Sequence, residues 1–177
     1  ESDGTLYNCT VWNTTSSNSA NPNPIGIVAQ ALATIKNCIS INTGTNADGD
    51  FSFHALAASV SNYNMSADSS ATGSNSITGV SDSTQFVSTV NGSEDLHLKT
   101  GADALRVGVD LGTTNGVNID IDGRDRDSND DTWDIGADQC ESCSVGGGSD
   151  GVLVTAGGAP DSFSIGSNGF GSNFSLE

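Results

Sequence analysis

With 177 residues, 22 of them acidic and only five basic, the chain carries a formal charge of −17. Such a chain repels a polyanion, so nucleic acid and an anionic membrane surface are excluded as partners. No apolar run approaches the roughly 18 residues that a membrane-spanning helix needs. A saline medium, divalent cations or a protein partner with a basic face remain favoured.

Three segments near the start can be laid over one another. Thr5-Leu6-Tyr7-Asn8-Cys9-Thr10-Val11-Trp12-Asn13 matches Thr34-Ile35-Lys36-Asn37-Cys38-Ile39-Ser40-Ile41-Asn42, and Ser59-Val60-Ser61-Asn62-Tyr63-Asn64-Met65 follows more loosely. Asn8, Asn37 and Asn62 are thus 29 and 25 residues apart. That period is typical of solenoids, in which a single coil cannot bury its apolar face alone. Stacked coils lie roughly 4.8 Å apart. The spacing therefore predicts a ladder in which each Asn amide donates to the amide oxygen of the next. Leu6, Ile35 and Val60 are expected to form the adjoining aliphatic row. A hydrophobic content of only 34 % would signal disorder in an unpatterned chain. Here the apolar residues are periodic, and a narrow shared stripe suffices for a solenoid core. Cys9 and Cys38 read as small stacked core residues rather than a bonded pair.

Residues 16–24 hold two of the three prolines and form a loop, since proline cannot lie inside a central ladder. Residues 25–29 read as a buried strand, 43–50 as turn chemistry ending in Asp48-Gly49-Asp50, and 51–56 as an alternating strand with His54 on its polar side. After a loop over 67–76, residues 77–90 carry the third coil, with Phe86 as anchor. From Asp95 to Asp138, apolar and polar residues alternate in short runs punctuated by Gly and Asp. That pattern predicts brief extended segments at 95–101, 107–112, 120–124 and 133–138. Residues 144–149 are a flexible connector. The tail beyond them is too poor in apolar residues for its own core, and is expected to dock on a neighbour through Phe163, Phe170 and Phe174. A free terminus is the alternative.

The order Leu96-His97-Leu98-Lys99-Thr100-Gly101, Asp120-Ile121-Asp122-Gly123-Arg124, Trp133-Asp134-Ile135-Gly136-Ala137-Asp138 resembles the closing region of right-handed parallel β-helix proteins. Those close with HLKSGSPAIDAG, DIDGxxR and WDIGADE. Their "tvkNsI" and "FvN" elements correspond here to residues 34–39 and Gln85-Phe86-Val87. The resemblance spans residues 28–138. Ala102-Asp103-Ala104-Leu105-Arg106-Val107-Gly108 departs from Ser-Pro-Ala-Ile-Asp-Ala-Gly, and Gln139 replaces the last Glu, so no role of those side chains is carried over. The resemblance implies an all-β fold, a short right-handed parallel β-helix of about three coils plus a C-terminal closure over residues 1–143, with 144–177 as a docking arm. With so few coils, and with neither an initiator Met nor a signal-peptide pattern, the chain reads as processed or as the end of a longer solenoid. Otherwise its open N-terminal face meets a protein partner or another copy of itself.

The densest chemical signal is the run Asp120, Asp122, Asp125, Asp127, Asp130, Asp131 and Asp134, with Arg124 and Arg126 among them. Asp-x-Asp-Gly offers two carboxylates and a tight turn, which suits calcium, with Asp120 and Asp122 as ligands. The spacing does not match an EF-hand loop. The favoured alternative is that Arg124 pairs with Asp134 or Asp138, the remaining aspartates being solvated and no cofactor bound. Cys140-Glu141-Ser142-Cys143 is a poor zinc site, since it lacks a second pair and neither His54 nor His97 stands in a zinc context. A disulfide, or two free thiols, is the better reading.

Signatures of pectin hydrolases, a Gly-x-Ser-x-Gly motif and a phosphate loop are all absent. Asp130-Asp131 stands alone. The expectation is therefore a non-enzymatic structural or adhesive module: a virion decoration or fibre protein, or an extracellular surface or filament protein, with polysaccharide as a further ligand. The alternative is a carbohydrate-active lyase or hydrolase.

Overall fold

The computed structural model describes residues 4–15, 24–30, 32–43, 49–128, 132–145, 154–156 and 163–165. The chain divides into two units, Glu1–Gly146 and Gly147–Glu177. The regular structure described in the first is mostly short strands, and the protein is all-β in character. Among the described residues, no helix is long and apolar enough to cross a membrane.

Strand length is set by asparagine. β1 (Thr5–Tyr7) and β2 (Thr10–Trp12) are three residues each, as are β4 (Thr34–Lys36) and β5 (Ile39–Ile41). Asn8, Asn13, Asn37 and Asn42 end them with φ of 51°, 51°, 53° and 61°. Asn enters this left-handed region more readily than other residues with a Cβ, so each copy of the repeat turns at the same two places. β1 and β4 pair in parallel, Leu6 facing Ile35, and β2 pairs with β5, Thr10 facing Ile39. β3 (Ile27–Ala29) pairs in parallel with β6 (Phe51–Phe53).

The third copy departs from the overlay by one residue. β7 (Met65–Ser66) pairs in parallel with β5, Met65 facing Ile39, and Asn62 faces Lys36. Tyr63, at φ 55°, therefore takes the corner that Asn37 occupies in the coil before it. Residues 51–56 are not one strand. After β6 the chain enters helix α1 (Ala55–Val60), whose Ala-Leu-Ala-Ala run is strongly helix-forming. Val60 ends that helix 42 % exposed, outside the row of Leu6 and Ile35. At that level Ser61 Oγ instead accepts the Ile35 N–H at 3.0 Å.

The amide ladder is also replaced. Asn8 Nδ2 donates to the Val117 carbonyl at 2.6 Å. Asn37, fully buried, donates to the Val109 carbonyl at 2.7 Å and accepts the Val109 N–H at 2.9 Å. The corner asparagines thus meet the backbone of the closing region, and Asn62 Oδ1 is buried without a partner. The asparagine that bonds between these coils is Asn64. It donates to the Ile35 carbonyl at 2.9 Å and accepts the Cys38 N–H at 3.0 Å.

Two apolar clusters form the core. One joins Ile27, Ala29, Ile35, Cys38, Phe51 and Ala57; the other joins Ile39, Ile41, Met65, Phe86, Leu98, Leu105 and Ile135. Phe86 opens β8 (Phe86–Ser88), after the short helix α2 (Asp82–Gln85). β8 pairs antiparallel with β9 (Asp95–Leu98), Phe86 facing Leu98.

Among the described residues of 95–138, β9 is the one strand; the expected extended segments at 107–112, 120–124 and 133–138 form no strands and consist of irregular chain, bends and one turn, with 3-10 turns at Thr114–Gly116 and Arg126–Ser128. Gly136, at φ +110°, lets the last of these press onto the repeat, because a Cβ there would lie 2.7 Å from Ile39 Cδ1. Its N–H donates to the Asn37 carbonyl at 2.9 Å.

In the second unit, β10 (Val154–Ala156) and β11 (Phe163–Ile165) form an antiparallel pair. The docking role expected of Phe163, Phe170 and Phe174 concerns side chains outside the described residues, as does the pair Asp130-Asp131.

Candidate metal centre

Alternation along β9 puts Leu96 and Leu98 on the core side and Asp95 and His97 on the other. Asp95 Oδ1 accepts the His97 N–H at 3.1 Å and lies 2.6 Å from His97 Nδ1. A carboxylate at that nitrogen keeps the proton on Nδ1 and turns Nε2 outward. Nε2 then sits 3.2 Å from Asp122 Oδ1. Bonds from Asp95 first, and from Asp122 second, raise the His97 pKa, while the same bond to His97 lowers that of Asp95.

Asp122 is placed by Asp120. Asp120 Oδ1 accepts the N–H groups of Asp122 and Arg124 at 2.9 and 2.8 Å, and its Oδ2 accepts that of Gln139 at 3.4 Å. Both oxygens of Asp120 therefore accept backbone N–H groups. Arg124 Nη1 holds Asp122 Oδ2 at 2.8 Å, which leaves Oδ1 turned to the histidine. The expected partners of Arg124, Asp134 and Asp138, belong elsewhere. Asp134 accepts the N–H groups of Arg106 and Cys140 at 2.6 and 2.7 Å.

The basic residue inside the closing segment is Arg126, fully buried. Its guanidinium donates to the carbonyls of Gly136 at 2.8 Å and Ala137 at 2.7 Å, with longer bonds to those of Asp134 and Asp138. It also lies 5.7 Å from the Trp133 ring centroid. This cage fixes the path of residues 133–138 and so the position of Asp138.

Asp138 is 4 % exposed. Its Oδ2 accepts the Leu98 N–H at 2.7 Å, whereas its Oδ1 is buried without a hydrogen-bond partner. Burial is the main cause that raises its pKa. One ligand atom from each of His97, Asp122 and Asp138 lies within 4.8 Å of the others, the one such group of three among the described residues. They border a cleft of about 510 Å³ whose far rim is Cys140, Glu141 and Ser142. Cys140 and Cys143 are joined as a disulfide, which closes that rim.

Sequence reasoning missed His97 and Asp138 as members of one site. The local signal was Asp95-Leu96-His97, an acid and an imidazole on one side of a strand. Cys9 and Cys38 are free thiols at equivalent places in adjacent coils. The Cys38 thiol bonded to Cys9 lowers the Cys9 pKa to about 7, and burial pushes that of Cys38 up. No known protein family, curated protein or solved structure matches the chain.

Proposed function

We propose that the chain is a right-handed parallel β-helix module with a structural or adhesive role, extracellular or mounted on a cell or virion surface, and without catalytic activity. The observation that carries this reading is the in-register parallel pairing of equivalent residues in successive copies, Leu6 on Ile35 and Thr10 on Ile39 on Met65. Stacking of that kind shares one apolar stripe between coils and leaves long polar faces, which suit a rigid spacer or a contact surface. The closing motifs, and the Cys140–Cys143 disulfide, which belongs to oxidising compartments, add to it. The strongly acidic composition fits saline or cation-rich surroundings and a basic partner or a second copy of the chain.

The test is twofold. Native mass measurement on the full chain should give a defined oligomer or a stable complex with a basic-faced partner. Incubation with neutral and acidic polysaccharides should release neither new reducing ends nor unsaturated products. Turnover that is lost when Asp122 and Asp138 are both changed to Asn would replace this reading with a carbohydrate-active enzyme.

A further inference from the structure

We propose that His97 Nε2, Asp122 Oδ1 and Asp138 Oδ1 form a binding site for a first-row divalent transition ion, zinc, that clasps three distant segments of the closing region together. The inference does not depend on the β-helix reading; it rests on the local geometry.

Three features of the local geometry point to a ligand. Asp138 Oδ1 is shielded from water and unpartnered, although its neighbour Oδ2 is satisfied by Leu98. Leaving such an oxygen bare is costly, and a cation removes the cost. Next, the imidazole is already oriented as metal-bound histidines are, one ring nitrogen bonded to the Asp95 carboxylate and the other facing the site. Finally, Arg124 holds Oδ2 of Asp122 while Oδ1 faces His97 Nε2 at 3.2 Å, a contact that a bound ion would replace.

One imidazole and two carboxylates select the ion. Calcium takes six to eight oxygen ligands and has little use for an imidazole nitrogen, whereas zinc accepts this nitrogen-and-oxygen set. Ligands of one tetrahedral zinc are about 3.4 Å apart. His97 and Asp122 stand at 3.2 Å, and the remaining separations, up to 4.8 Å, close by side-chain rotation. A water in the cleft would complete four-coordination. The ion would tie β9, the turn at 120–124 and the segment at 133–138, parts held in place now by Asp120, Arg126 and the disulfide.

The experiment uses the full chain without a histidine tag, stripped with chelator, and titrated with zinc chloride by calorimetry. One equivalent should bind and raise the melting temperature, with EDTA reversing the shift and calcium or magnesium failing to reproduce it. Long-range proton–nitrogen spectra of the unmutated protein should show His97 Nε2 moving on zinc addition while His54 stays. Both His97→Gln and Asp138→Asn should lose the equivalent. The asparagine can still accept the Leu98 N–H, which keeps the fold. Asp95→Asn should weaken zinc by about 10- to 100-fold, and a Cys9→Ser, Cys38→Ser double variant should bind as the parent does. The proposal is overturned if no saturable equivalent appears, if His97 does not respond, or if both ligand variants bind zinc undiminished.

Discussion

Asn37 serves two needs at once: it adopts φ 53°, and its amide satisfies both the N–H and the carbonyl of Val109. The two roles are separable by substitution. Asn37→Gly keeps the left-handed corner but strands the two Val109 groups, at about 1–3 kcal/mol. Asn37→Leu loses the same bonds and also forces a branched side chain into the left-handed region, which adds about 1–2 kcal/mol. In urea titrations both variants should be less stable than the parent, with leucine the worse. Equal losses would mean that the corner conformation carries no cost of its own. Cys9 provides a second residue-scale test. Its thiol is held near pKa 7 by the bond from Cys38, so the thiolate should form between about pH 6 and 8. Alkylation of Cys9 followed by peptide mass mapping should rise through that window, while Cys38, fully buried, stays unmodified until the protein unfolds. Cys38→Ala should return the Cys9 midpoint toward an ordinary thiol. An unchanged profile would show that the thiol pair is not in contact.

At the scale of elements, Arg126 holds the closing segment by donating to four carbonyls, and among the described residues no carboxylate is hydrogen-bonded to it. Arg126→Met preserves much of the volume and the contact with Trp133 but takes the guanidinium donor from the carbonyls of Asp134, Gly136 and Asp138, while that of Ala137 keeps the Ile121 N–H. The expected loss is about 3 kcal/mol or more, read as a lower urea midpoint. It should exceed the effect of Arg124→Met, whose side chain is 49 % exposed and, among the described residues, pairs with Asp122. The first two copies of the repeat were legible because identical corners, Asn8 and Asn37, carry the same backbone demand. The third was not, because Tyr63 occupies the corner where the overlay needs asparagine, and a helical run precedes it. The closing region misled for a different reason. Its alternation of Asp with apolar residues has the period of a strand, yet those carboxylates bond the backbone two residues on. Asp110 accepts from Gly112, Asp120 from Asp122 and Asp125 from Asp127. Each such Asx turn spans two residues and so mimics the period of a strand without extending the chain. The candidate site was hidden by distance, since His97 and Asp122 are 25 residues apart and no local spacing joins them. Only the docking of residues 133–138 on β9, through Asp138 and Leu98, brings the third member in.

For the whole molecule, 22 acidic residues against five basic ones make self-repulsion the dominant long-range field. Among the described residues, the exposed ion pairs of Asp122 with Arg124 and of His97 with Asp95 and Asp122 do not offset it. Monovalent salt should therefore raise the melting temperature, because at 1 M the screening length falls to about 3 Å. Acidification should act in the same direction through a second route. Burial raises the folded pKa of Asp134 above its unfolded value, so the folded state binds that proton more tightly. Stability from this group grows as pH falls through the raised value and levels off near the unfolded one. Asp95 works oppositely. Its pKa is lowered by His97, so its contribution is present above the unfolded value and disappears as pH falls through the lowered one. Melting temperature in low salt should then climb from neutral pH into mild acid and decline again in strong acid. High salt should flatten the climb by screening the surface repulsion while sparing the part due to buried Asp134. A melting temperature that falls on adding salt would instead place the stability of this fold in its few exposed ion pairs, against the charge balance of the chain.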